Sequence, residues 1–67
     1  MVQTDKILRY MEVMGEITQR DAYRMGIYRL ASRINDLRKD GVEIKTEMRE
    51  VTNADGSKSR VAVYSLA

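Results

Sequence analysis

Between Asp21 and Gly41 the chain reads DAYRMGIYRLASRINDLRKDG, a run of apolar residues at helical spacing with a glycine set into it. Gly26 is the residue that constrains the fold. Glycine alone enters a left-handed turn without steric cost, so the run divides into two helices meeting at a tight turn. The segment TQRD, Thr18 to Asp21, has the form of a capping box, with a threonine cap and an acid three residues on. It opens a short helix from Gln19 to about Met25 that buries Ala22 and Met25, with Tyr23 as a further candidate. A longer helix follows from about Tyr28 to Asp40, and Gly41 closes it. At about 100° per residue, Ile27, Leu30, Ile34 and Leu37 fall on one side. Tyr28, Arg29, Ser32, Asp36 and Lys39 fall on the other, with Arg33 flanking them. Arg38 projects at the apolar edge, where its stem can lie along the core while its charge stays in water.

The flanking segments supply the rest of a small domain. Thr4 is placed to cap a first helix, with Asp5 near the positive end of its dipole. Ile7, Leu8, Met11 and Met14 form its apolar stripe, Tyr10 lies at the edge of that stripe, and Val13 lies outside it. Gly15 ends the helix, and Glu16-Ile17 is a short extended link with Ile17 buried. After Gly41 the period changes from helical to two. Val42, Ile44, Thr46 and Met48 alternate with Glu43, Lys45, Glu47 and Arg49, the pattern of a strand with one buried face. TNADGSKS is turn chemistry, and RVAVYSL is the returning strand, with Ala62, Tyr64 and Leu66 toward the core and Val61 and Val63 facing the other way.

Residues 1–67 are expected to form a single domain of α+β class: three helices and a C-terminal two-stranded hairpin. A chain this short is marginal unless it is stapled. With no Cys and no His, disulfides and ordinary structural zinc sites are excluded. The same absences remove the commonest general base and the best thiol nucleophile, so neither an enzyme nor a cofactor or small-molecule substrate is expected. No apolar run approaches the roughly 20 residues of a membrane span, and no signal-peptide segment is visible. A cytoplasmic protein away from membranes is the expectation. Net charge is only +2, from 12 basic and 10 acidic residues, but its distribution is uneven. Residues 1–26 and 42–67 each balance. The excess lies in 27–41, where Arg29, Arg33, Arg38 and Lys39 face Asp36 and Asp40. A local basic excess of this kind marks a contact element for nucleic acid.

A supporting helix, a glycine turn and a helix with a basic outer face follow helix-turn-helix logic. ITQRDAYRMGIYRLASRINDLRKDG followed by IKTEM and DGSKSRVAVYSL resembles the small winged helix-turn-helix domains of bacteria and their phages over nearly the whole chain. Leu30 follows Gly26 by four residues, two fewer than in many members. The resemblance implies double-stranded DNA as partner and a role in regulating transcription or recombination. The recognition helix would be about 28–40, in the major groove, and the wing 52–60, on the backbone. The side chains suit those roles. Arg29 or Arg33 can bond bidentately to guanine edges, Ser32 to a base or phosphate, and Tyr28 to a phosphate or a thymine methyl. Lys39 extends the basic face. Gln19 sits at a helix start where backbone N–H groups also point at phosphate, and Lys58 and Arg60 at the wing tip can reach the phosphate backbone or a minor groove. Asp36 opposes phosphate unless it orients Arg33 or Arg29, or accepts from a cytosine amino group. Tyr10 and Val13 are candidates for a homodimer surface on the first helix. The competing reading is a winged-helix module that docks another protein and binds no nucleic acid.

Overall fold

The computed structural model describes residues 2–67. Its elements run in the order α1 (Gln3–Met14), β1 (Ile17–Thr18), α2 (Gln19–Arg24), α3 (Leu30–Lys39), β2 (Ile44–Thr52) and β3 (Lys58–Leu66). β2 and β3 pair antiparallel as the hairpin wing, and β1 adds to the free edge of β3, giving the sheet order β1-β3-β2. The architecture is the α+β winged helix-turn-helix read from the sequence, with β1 stitching the helical part onto the wing.

One cluster holds the helices together: Ile7 and Met11 from α1, Ile17 from β1, Ala22 from α2, Ile27 from the turn, Leu30, Ile34 and Leu37 from α3, and Ile44 from β2. Each fully buried aliphatic side chain of this size contributes roughly 1.5–3 kcal/mol, and no disulfide supplements them. The chain reversals are built from hydrogen bonds as well as glycine. At the end of α2 the Gly26 N–H donates to the Tyr23 carbonyl (3.0 Å) and the Ile27 N–H to the Ala22 carbonyl (2.8 Å), with Gly26 at φ 79°. That is a Schellman motif, with the accompanying apolar contact supplied by buried Ala22 and Ile27. The end of α3 repeats it: Gly41 N–H donates to the Arg38 carbonyl and Val42 N–H to that of Leu37.

Several boundaries and orientations differ from the sequence reading. α1 begins at Gln3 with Val2 as its cap and no side-chain capping bond, so Thr4 is inside the helix and is not its cap. Met14 is 63% exposed rather than part of the stripe, because the core ends at Met11 on this helix. Tyr23 is exposed; α2 buries only Ala22 fully. α3 starts at Leu30 rather than Tyr28, with Arg29 as its cap at φ −121°, ψ 62°. On β2 only Ile44 is buried, while Thr46 and Met48 are exposed. The reason is length. Nine extended residues span about 30 Å, whereas the 12-residue α1 spans about 18 Å, so the outer half of the hairpin overhangs the helices. The molecule is accordingly elongated, 39 × 23 × 21 Å.

Val63 lies on the opposite sheet face from Tyr64 and Leu66, as its parity requires, yet is only 2% exposed. Its register partners are Thr18 on one side and Glu47 on the other. Arg49 of β2 reaches Glu16, beside β1, through two hydrogen bonds of 3.1 Å, and also pairs with Glu47. Because β3 lies between β2 and β1, that arginine must cross the face of β3 that carries Val61 and Val63. Its stem provides apolar cover there while its head stays paired. The hydrogen bonds and charge of Glu16 raise the Arg49 guanidinium further above its ordinary value.

Candidate nucleic-acid interface

Burial of Leu30, Ile34 and Leu37 fixes which side of α3 faces solvent. Tyr28, Arg29, Ser32 and Lys39 are exposed along or just before that helix, and Arg33 and Asp36 are half-buried beside them. The Arg33 Nε lies 3.2 Å from an Asp36 carboxylate oxygen, a pairing one helical turn apart. Among the described residues that Nε is the one buried side-chain nitrogen or oxygen without a hydrogen-bond partner, so Asp36 compensates it by charge alone. Pairing through Nε leaves the two terminal nitrogens of the guanidinium directed elsewhere.

Gln19 has a definite structural task. Its side-chain Nε2 donates to the Ile27 carbonyl (3.1 Å), and its Oε1 accepts from the Leu30 N–H (3.3 Å). The first amides of a helix lack intrahelical partners, and Arg29 gives α3 no side-chain cap. Gln19 therefore caps α3 from another helix and fixes the connection of residues 25–29 between α2 and α3. Its carboxamide is occupied within the fold. The capping box at its own helix start is complete: Asp21 N–H donates to Thr18 Oγ1 (3.3 Å), and Thr18 N–H donates to the Asp21 carboxylate (3.0 Å).

The wing tip is ordered by short polar contacts. Asn53 N–H donates to the Ser57 carbonyl (2.7 Å), and Asp55 accepts from both the backbone and the hydroxyl of Ser57 (2.9 and 2.6 Å). Those bonds, the hydroxyl's foremost, hold the Asp55 carboxyl below its ordinary value. Lys58 pairs with Glu50 at 3.3 Å, whereas Arg29, Lys39 and Arg60 form no ion pair among the described residues. Between the wing and the α2–α3 corner runs an open groove of about 890 Å³, with Gln19, Arg20 and Tyr23 on the helical wall and Asn53 and Arg60 on the wing.

The structure thus brings Tyr28, Arg29, Ser32 and Arg33 together at the head of α3 and leaves Lys39 at its far end. It also adds Tyr23, a candidate for burial on sequence, which is exposed. The Tyr23 and Tyr28 rings pack 5.6 Å apart, tilted by 45°. No signal local to α2 marks this pairing, because Tyr28 lies beyond the turn that ends that helix.

A supporting helix, a Schellman turn, a second helix with its polar side outward and a projecting hairpin define a helix-turn-helix domain with a wing. The chain belongs to the winged helix-turn-helix domain family, whose model matches residues 2–67. That family is one of DNA-binding, non-catalytic domains. No curated protein and no solved structure matches the chain. No group of three or more His, Cys, Asp or Glu among the described residues is placed to hold a metal ion. No helix among them is long and apolar enough to cross a membrane.

Proposed function

We propose that this chain reads a specific double-stranded DNA sequence, acting in the cytoplasm as a small bacterial or phage regulator of transcription or recombination. The observation that carries the reading is positional. The chain's excess positive charge is confined to residues 27–41, and burial of Leu30, Ile34 and Leu37 turns the polar side of that segment outward. The N-terminal part of α3 enters the major groove, with Arg29, Ser32 and Arg33 at base edges and Tyr28 beside them. Asp36 steers Arg33 rather than opposing the duplex. Lys39, Lys58 and Arg60 contact phosphates, and Gln19 acts on DNA by holding α3 in place.

A single module of this size offers an interface of roughly 600–1,000 Å², so two copies bind a site together, joined through Tyr10 and Val13 of α1. Val13 is 73% exposed, and with Met14, Tyr10 and Met25 it lines a shallow apolar groove. Tyr10 closes the edge of the core, where burial first, and the neighbouring Asp21 second, raise its phenol above the ordinary value.

Selection of bound duplexes from a random pool tests the reading directly. A preferred sequence is expected. Arg29→Ala and Arg33→Ala should each lose about 1–3 kcal/mol on that sequence and much less on random DNA, the worth of a bidentate arginine–guanine contact. Should both variants bind the selected site as tightly as the parent, groove reading by α3 is wrong and the protein-docking alternative takes its place.

A further inference from the structure

The exposed tyrosine pair at the α2–α3 corner has no task in the fold. Tyr28 is 72% and Tyr23 54% exposed, and neither belongs to the core or its margin. We propose that the two rings form one apolar surface that docks against thymine C5-methyl groups in the major groove, giving the protein a preference for thymine beside the arginine-read bases. The proposal rests on the DNA-reading function above and assigns it a second recognition element.

Placement is the first support. Tyr28 lies just before the N-terminal end of α3, the part of a recognition helix closest to base edges. Tyr23 lies behind it on α2 and forms part of the wall of the wing groove. Ring geometry is the second. The rings are already in contact, so no base can enter between them, and their 45° tilt leaves no common plane on which an unpaired base could stack. What the pair offers is ring edges and one outer ring face. That surface suits a methyl group, and apolar contact with the thymine methyl is an established mode of base discrimination in the major groove. Charge is the third. Arg20 and Arg24 on α2 and Arg29 beside Tyr28 are all exposed, surrounding the apolar rings with cations suited to the flanking phosphates.

The test uses the full chain and the duplex enriched from a random pool. Each thymine in turn is replaced by deoxyuracil, which removes one methyl and leaves base pairing and the O4 acceptor intact. The expected result is a loss of about fourfold in affinity at one or two thymines, the value of one buried methyl. That loss should disappear in Tyr28→Ala and shrink in Tyr23→Ala, and it should persist in Tyr28→Phe, which keeps the ring. A flat deoxyuracil scan with the parent protein, or a selected site lacking thymine, overturns the proposal without needing any variant to fold. A loss abolished by Tyr28→Phe also overturns it, because the hydroxyl would then be the contact. If no duplex is enriched at all, the DNA-reading function fails and this inference with it.

Discussion

Gln19→Ala is the substitution whose effect the fold specifies most closely. It removes two hydrogen bonds at once, to the Ile27 carbonyl and from the Leu30 N–H. Both bonds are partly buried, and each contributes roughly 0.5–1.5 kcal/mol net. Nothing else in the fold replaces the second, since Arg29 provides no side-chain cap for α3. The expected destabilisation is about 1–3 kcal/mol, a large share of the roughly 3–10 kcal/mol available to a domain of this size. Urea denaturation reads the total. Amide hydrogen exchange locates it: the Leu30 amide should lose protection beyond the global change, while Ile7 and Met11 in α1 follow the global change only. Gln19→Glu sharpens the case. It keeps an acceptor for Leu30 but replaces the donor with an anion against the Ile27 carbonyl, so it should also destabilise. On DNA, Gln19→Ala should weaken the selected site more than random duplex, because it loosens the helix proposed to read bases. Unchanged urea midpoints together with unchanged Leu30 exchange would show that the glutamine does not cap α3.

On the wing, replacing Lys58 and Arg60 together with Ala should weaken all duplexes about equally and lower the salt slope by about one to two; a changed sequence preference at constant slope would make the wing a base reader. Asp55 should titrate below the ordinary carboxylate value when followed by NMR. Its folded pKa is depressed by Ser57, so its contribution to wing-tip order is complete above the unfolded pKa of about 3.9 and is lost as pH falls through the folded value. The Ser57 amide signal should move with the same midpoint, and a midpoint at the ordinary value would refute the assignment. For association, sedimentation should show a dimer on a palindromic duplex that Val13→Glu converts to a monomer; a strict monomer with and without such a duplex removes α1 as the interface.

How far the sequence reveals the structure depends on which force fixes each element. Where a face must be buried, periodicity alone was sufficient. Ile27, Leu30, Ile34 and Leu37 all enter the core, and Gly26 and Gly41 both adopt positive φ at the helix ends. The capping box Thr18–Asp21 was equally legible because it is local. Readings failed where burial depends on how far an element outreaches its neighbours. Met14 and Met48 have core-like parity, yet one sits past the end of the packed stripe and the other on the overhanging part of the wing. The start of α3 was misplaced because what delays it is not local. Gln19, eleven residues before Leu30, holds the connection out of helical geometry. The same long-range organisation brings Tyr23 against Tyr28, which one-helix projections cannot reveal. At the candidate site, the face carrying Arg29 and Ser32 was therefore predictable, but the tyrosine pair beside it was not.

The charge arrangement bears on how such a chain would find its target. Non-specific affinity grows with the number of phosphates neutralised and falls steeply with salt. A net charge of +2 gives little of it, and two of the basic residues in the proposed interface carry internal counter-charges: Asp36 on Arg33 and Glu50 on Lys58. The exposed Lys58–Glu50 pair adds little to stability. The consequence of both pairings falls on binding. A partly neutralised arginine is drawn less by any phosphate, yet its unpaired terminal nitrogens can still meet the two acceptors of a guanine. The relevant quantity in a genome is the ratio of specific to non-specific affinity, and a carboxylate beside a base-reading arginine lowers the denominator more than the numerator. On the proposed function, Asp36 is thus a contributor to discrimination, and the low overall charge of the chain accords with a protein whose binding depends on the sequence it meets rather than on the phosphate backbone alone.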